Sequence, residues 1–230
     1  MNQNQGLMFS LKQQDKEIQI PPAQAISMFH QLYYTLRDQT WQNTFFLGRR
    51  VLKCPLDLWI YQEIFVEVQP DLVIETGTFH GGTALYYAVL CDLLGKGHVV
   101  SIDTVQYSAI PAHPRITYLS GSSVEASIAD QVRELAAGKE KVIVILDSDH
   151  TMDHVLKEME IYGEIVTPDS YMIVEDTCAN GHPVLPEWGP GPMEAVEAFL
   201  QKDDRFTMDR SREKFMLTFN PSGYLKKKAV

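Results

Sequence analysis

Apolar side chains recur along this chain in two periods, and the switch between them divides it. From Pro21 to about Thr40, Ile26, Phe29, Tyr33 and Leu36 fall at helical spacing, and prolines at 21 and 22 suit a helix start. From Pro55 to Val68, Leu56, Ile60, Ile64 and Val68 line one helical face, and Pro70 ends it. Beyond Pro70, short apolar runs alternate with helical stretches. Leu72–Glu75, His98–Asp103, Arg115–Leu119, Val142–Leu146 and Tyr171–Val174 read as strands. The helices between them run up to Leu94, where Gly95 and Gly97 stop the first. The second carries Val124, Ile128, Val132 and Leu135 behind a Ser122-to-Glu125 capping box. The third has Met152, Val155, Leu156, Met159 and Tyr162 on one face. Strands alternating with helices in this way describe an α/β fold, a parallel sheet covered on both sides. The tail departs from the pattern. Arg205–Met208 and Lys214–Phe219 predict two strands joined by a short charged turn, an antiparallel hairpin at the sheet's edge. Residues 1–20 are polar and predict a frayed segment or one draped over a neighbour. The whole reads as a single domain, residues 1–230, with a helical N-terminal extension (1–69) ahead of the α/β core (70–230).

Composition narrows the function classes. Hydrophobic residues make up 45% of the chain, which excludes a disordered polymer. Twenty basic against 30 acidic side chains give a net charge of −10. Binding to a nucleic-acid backbone needs the opposite balance, whereas an acidic chain suits a cation, metallic or organic. Cys54, Cys91 and Cys178 are odd in number and form no CxxC pair, so buried reduced thiols are expected. No apolar run approaches the roughly 20 residues of a membrane span, and the N-terminus lacks a basic flank followed by an apolar core. A cytoplasmic protein with neither a nucleic-acid nor a membrane partner is expected.

Four of the apolar strands end in acids: Glu75, Asp103, Asp147 and the pair Glu175-Asp176. In an open parallel sheet, ligands bind beyond the carboxyl ends of the strands. So many carboxylates there are costly without a counter-charge. The first lies in Glu75-Thr76-Gly77-Thr78-Phe79-His80-Gly81-Gly82, a strand-loop-helix turn whose glycines let backbone approach a ligand. It is not the dinucleotide pattern, and an acid before the first glycine repels phosphate and attracts an ammonium group. Asp103 stands where a carboxylate takes ribose hydroxyls. Adenosine, no phosphate and a positive charge together describe S-adenosylmethionine. Its expected contacts are Glu75 through Thr78, Gly81, Gly82, Asp103, Ser122, Asp147 and Asp149. Asp147, Glu175 and Asp176 supply three hard oxygen donors suited to Mg²⁺ or a similar divalent ion. Asp149 is an alternative first ligand, or a contact to the cofactor's adenosine or amino group. His150 faces the same cleft and is the expected general base. The stiff segment from Gly181 to Pro192 reads as a substrate-facing wall, with His182 and Trp188 pointing inward.

With these residues in place, the chain resembles the cephalosporin hydroxylase family of methyltransferase-fold proteins. It is also similar to metal-dependent O-methyltransferases acting on macrolide deoxysugars. The resemblance runs from about Thr44 to Phe219 and rests on Pro55-Leu-Asp57-Leu-Trp59, Pro70 through Thr78, Leu146-Asp-Ser-Asp-His150 and Ser170 through Thr177. Asp147, His150, Glu175 and Asp176 repeat the spacing of the sugar enzymes' metal and base residues. The resemblance implies a Rossmann-like class I methyltransferase fold with a seven-stranded sheet whose last strand is antiparallel. It implies an S-adenosylmethionine- and Mg²⁺-dependent O-methyltransferase acting on a hydroxylated small molecule, a sugar or natural-product intermediate. A homo-oligomer is expected. The rival readings are a hydroxylase component and a non-catalytic nucleoside-binding subunit. The first is weakened by the absence of a facial triad, clustered cysteines or a flavin motif, the second by an intact acid-and-histidine set.

Overall fold

The computed structural model describes residues 9–13, 16–105 and 109–229. Strands β1 (Phe9–Gln13) and β2 (Lys16–Ile20) pair antiparallel, so a hairpin stands where the sequence predicted a frayed segment; residues 1–8 lie outside the described residues. Helix α1 (Pro22–Thr35) follows, shorter than the pattern to Thr40 suggested because two single 3-10 turns take over at Arg37–Gln39 and Trp41–Asn43. The two-residue strands β3 (Phe45–Phe46) and β4 (Arg49–Arg50) pair before helix α2 (Pro55–Val68).

The α/β core comprises β5 (Leu72–Thr76), α3 (Gly82–Leu94), β6 (His98–Asp103), β7 (Ile116–Ser120), α4 (Ala126–Ala136), β8 (Val142–Leu146), α5 (Met152–Tyr162), β9 (Tyr171–Val174), α6 (Pro192–Lys202), β10 (Phe206–Met208) and β11 (Tyr224–Lys227). Their seven-stranded sheet has the order β10-β11-β9-β8-β5-β6-β7. The five strands from β9 to β7 are parallel, and β11 is antiparallel to both of its neighbours. Every residue of β5, β8 and β9 is buried, as strands covered on both faces require. Alternation sorts them into two cores. Leu72, Ile74 and Val144 pack with Ile128, Val155, Met159 and Phe199 of α4, α5 and α6. Val73, Ile143 and Ile145 pack with Ile60, Phe65, Tyr87 and Cys91 of α2 and α3. All three cysteines are free and buried, as expected.

The chain leaves β5 towards β6 on one side, while β8 pairs on the other. This reversal opens a crevice at the carboxyl ends of β5 and β8, where a doubly wound sheet holds its ligands.

Two sequence expectations need correction. The partner of β10 is Tyr224–Lys227, not Lys214–Phe219; the antiparallel pair stands at the sheet's edge as expected, with β10 outermost and β11 between it and β9. Lys214–Phe219 is held by side chains instead. Leu217 and Phe219 are buried in a small third cluster beside Tyr33, Tyr34 and Trp41, and the Phe219 amide donates to Asp57 Oδ2 at 2.9 Å. Alternating apolar residues marked burial correctly but not a hydrogen-bonded ladder. The Ser122–Glu125 capping box does not form either: Glu125 is the N-cap of α4, without a side-chain cap bond, and Ser122 lines a cavity.

Candidate active site

The four acid-terminated strand ends meet around the crevice, and close backbone packing makes that possible. Gly77 has φ +90°, and a Cβ there would stand 1.9 Å from the Asp147 carbonyl oxygen, so only glycine lets the β5 and β8 loops touch. Thr76 is buried, and its hydroxyl accepts from the Asp147 amide at 3.2 Å, which fixes the start of the second loop. Gly81, with φ +68°, is the N-cap of α3.

Two cavities share Gly77, Asp103, Thr104 and Ser148. One, of about 290 Å³, is also lined by Gly121, Ser122, Ser123 and Asp149. The other, of about 490 Å³, is lined by Thr78, Phe79 and Gly82, by Asp147, His150 and Asp176, and by Tyr34, Trp41 and Arg50 from the N-terminal extension. Asp103 borders both, and its carboxylate accepts the amides of Phe79 at 2.8 Å and Val105 at 3.0 Å. Asp149 accepts the Thr151 amide at 2.8 Å and faces the smaller cavity. Ser122 and Asp149 therefore share a wall with one face of Asp103, while Asp147 belongs to the other side.

Glu75 is fully enclosed behind the glycine loop and lines neither cavity. Ser101 Oγ donates to its Oε2 at 2.6 Å, and its Oε1 has no partner. Burial pushes its carboxyl up to about 7.

Asp147, His150 and Asp176 each offer a ligand atom within 4.8 Å of the others. His150 Nε2 lies 3.3 Å from Asp176 Oδ2 and 3.9 Å from Asp147 Oδ1. Asp176 adopts φ +54°, an uncommon conformation for an aspartate and a local strain of the kind found at functional sites. Its amide donates to Asn220 Oδ1 at 3.1 Å, and Asn220 Nδ2 donates to the buried Tyr61 hydroxyl at 2.8 Å, so the strained turn is fixed from below.

Glu175 is not part of that group. It turns to Lys53, whose ammonium ion-pairs with both Glu175 Oε2 and Asp147 Oδ2. Burial works to neutralise the lysine, but the two carboxylates outweigh it and hold its pKa above the usual value. Burial raises the Glu175 carboxyl well above its ordinary range, and its Oε1 is buried without a partner.

The proline-rich wall is anchored rather than loose. His182 Nε2 lies 2.9 Å from Glu194 Oε1, outside both cavity linings. The Asn180 amide, the Gly191 amide and His182 overcome burial and hold Glu194 down at about 2. Trp188 is half exposed, and its indole donates to the His150 carbonyl at 3.1 Å. The wall therefore touches the site through His150.

Sequence reasoning did not find Lys53, Tyr34, Trp41 and Arg50. Lys53 had a signal: it is the one charged residue in the run Val51-Leu52-Lys53-Cys54-Pro55-Leu56. The small cavity also has an unforeseen floor. His154 Nε2 lies 3.1 Å from Ser148 Oγ and 3.2 Å from Ser123 Oγ, and Glu158, fully buried, holds its pKa above the usual value.

A family model described as Rhamnosyl O-methyltransferase/CmcI matches residues 38–228. The chain belongs to that family. The rhamnosyl O-methyltransferase of Mycobacterium tuberculosis (strain H37Rv) is 38% identical over 212 residues, covering 89% of this chain and 86% of the relative. That of Mycobacterium leprae (strain TN) is 39% identical over 206 residues, covering 87% and 89%. Among solved structures, a Mg-SAM form of CmcI superposes with a TM-score of 0.63 at 21% identity, covering 82% of this chain and 78% of that one. The O-methyltransferase TomG from Streptomyces achromogenes, solved with SAM, gives 0.54 at 14% identity over 89% and 90%. At these identities the structural likeness bears on the fold: a class I methyltransferase sheet, with β11 as its antiparallel strand. Among the described residues no helix is long and apolar enough to cross a membrane.

Proposed function

We propose that this family member transfers a methyl group from S-adenosylmethionine to a hydroxyl of a sugar or a sugar-bearing natural product, at a divalent-ion centre. The observation that carries this reading is the wall shared by the two cavities. Asp103 and Gly77 border both, so a ligand in the smaller one abuts the cluster of Asp147, His150 and Asp176 in the larger.

The residues fit both groups. Asp103 keeps lone pairs for ribose hydroxyls, and Ser122 and Asp149 offer polar contacts beside it in the cavity that Gly77 also lines. Asp147 and Asp176 are hard oxygen donors of the kind Mg²⁺ takes, and Glu175, next in the chain to Asp176, is the third expected carboxylate, its Oε2 paired with Lys53. When bound, the ion supplies Lewis acidity and S-adenosylmethionine an electrophilic methyl. His150 takes the proton of the acceptor hydroxyl at Nε2, and Asp176 steadies the resulting imidazolium across 3.3 Å. The stacked rings of Tyr34 and Trp41, with centroids 5.1 Å apart, wall the acceptor side and exclude water. Their chemistry suits the apolar face of a sugar ring. The 38% identity with rhamnosyl O-methyltransferases supports a deoxysugar acceptor.

The same reading keeps a homo-oligomer working in the cytoplasm. The exposed Met28, Phe29 and Leu32 of α1 support assembly, which light scattering would measure. For the activity, the protein is incubated with methyl-labelled S-adenosylmethionine, Mg²⁺ and a panel of rhamnosides and other deoxysugar glycosides. Transfer that EDTA abolishes and Mg²⁺ restores is the expected result. Transfer unaffected by excess EDTA removes the ion from the reading, and failure to bind S-adenosylmethionine in calorimetry overturns it.

A further inference from the structure

Lys53 stands in the loop between β4 and α2, 5% exposed, on a backbone tied to Thr44 by a 3.4 Å bond from the Lys53 amide to Thr44 Oγ1. Its neighbour Leu52 has φ +52°, so the loop is bent to deliver the side chain inward. The ammonium reaches Asp147 and Glu175 together, and among the described residues no other lysine or arginine forms an ion pair with either, or with Asp176. Two carboxylates thus converge on one fixed positive charge that belongs to the chain, and one of them, Asp147, is grouped with Asp176 and His150.

We propose that Lys53 is a built-in counter-cation that sets how tightly this centre holds a divalent ion. It occupies Asp147 Oδ2 and Glu175 Oε2, leaving Asp147 Oδ1 and Asp176, beside His150, to meet the ion. The inference rests on the metal reading above and assigns a role to a residue outside the ligand set. Two consequences follow from electrostatics. Lys53 offsets negative charge at the centre, so a dication gains less on entering. The ammonium also remains within reach of a carboxylate the ion needs, and two cations sharing Asp147 repel each other in a medium less polarisable than water. In return, Asp147 and Glu175 stay paired whether or not an ion is bound, which spares the fold the cost of unpaired buried carboxylates. Lys53 therefore exchanges ion affinity for a preformed centre.

The test titrates Mn²⁺ alone, with free ion read by electron paramagnetic resonance, into chelator-stripped protein without cofactor or substrate. Four proteins are compared: wild type, Lys53→Met, Glu175→Gln and the double variant, each checked for folding by circular dichroism. Lys53→Met is expected to bind Mn²⁺ about tenfold more tightly than wild type, or tighter still. The double variant is expected to exceed Glu175→Gln by a similar factor. That second pair keeps the test sharp if Lys53→Met alone does not fold, because Glu175→Gln removes one of the buried carboxyls that would lose its partner. Equal or weaker binding in the Lys53-lacking member of a folded pair overturns the proposal. If wild type takes up no Mn²⁺ and Lys53→Met does, the counter-cation role stands and the metal-dependent reading fails. If no variant binds, both fail.

Discussion

The imidazole of His150 faces the carboxylate of Asp176 at 3.3 Å across the ends of β8 and β9, while the backbone carbonyl of the same histidine accepts the Trp188 indole at 3.1 Å. One residue therefore joins the carboxylate centre to the proline-rich wall. Its side chain lies against the Asp176 carboxylate on one side and its main chain is held on the other by the loop, an arrangement that restricts where Nε2 can meet a hydroxyl. Preorganisation of this kind lets a modest base work in a small site.

Replacing His150 by Gln should lower kcat by about 10²–10⁴-fold, the usual loss for a general base. Calorimetry with S-adenosylmethionine should show unchanged affinity, since the imidazole lies in the larger cavity. Mn²⁺ titration separates the two roles open to this side chain. Unchanged ion affinity marks a base; a parallel loss of ion affinity makes His150 a ligand instead.

Much of this arrangement was legible in the chain. The strand ends follow from apolar runs bounded by glycine and acid, and Asp147, His150 and Asp176 converge because each stands at the end of β8 or β9 or just past it. What the pattern does not reveal is which way a carboxylate turns. Glu175 and Asp176 are neighbours, yet the positive φ of Asp176 sends one towards Lys53 and the other towards His150. Nor does periodicity register contacts across long separations, such as Tyr34 and Trp41 packing on Phe219, because nothing local in either segment encodes the other. The misread strand at Lys214–Phe219 has the same origin, burial by distant rings producing an alternation that resembles a ladder.

That ring cluster gives a stability prediction. Phe219 is buried against Tyr34 at 5.3 Å, Trp41 at 5.7 Å and the stacked His30 ring at 5.6 Å, and so pins the N-terminal extension to the core. Phe219→Ala should cost about 3–5 kcal/mol in denaturant unfolding. Because Tyr34 and Trp41 wall the larger cavity, KM for the acceptor should rise more than KM for S-adenosylmethionine. A variant that loses stability with both constants unchanged would show that the extension does not shape the acceptor side.

Gly77→Ala tests the contact between the two central loops. The added Cβ would stand 1.9 Å from the Asp147 carbonyl, and the backbone has φ +90°. Left-handed strain alone costs about 1–3 kcal/mol, and relief of the clash must move the Asp147 loop. The expected outcome is a lower Tm with loss of both Mn²⁺ and S-adenosylmethionine binding, since the residue borders both cavities. Retention of either binding at wild-type affinity would show that the loops adjust independently.

Glu75 makes stability depend on pH in an unusual direction. Its carboxyl sits at about 7 in the folded chain against an ordinary 4.5, because burial outweighs the hydrogen bond from Ser101. Between those two values the folded chain keeps a proton that the unfolded chain releases. Its contribution therefore weakens as pH rises from 4.5 towards 7 and is fully unfavourable above that. Glu75→Gln supplies a neutral group of the same shape at every pH. Relative to wild type, the variant should gain on the order of 1–3 kcal/mol between about pH 5 and about pH 8, seen as a growing Tm difference in its favour. Every other titrating group is common to the two proteins, so the difference isolates this carboxyl. The comparison is made without cofactor or ion, because an ammonium group bound near the loop would itself favour the ionised acid. A Tm difference that stays constant across that range would mean that Glu75 is ionised in the fold throughout, with a compensating cation near its Oε1.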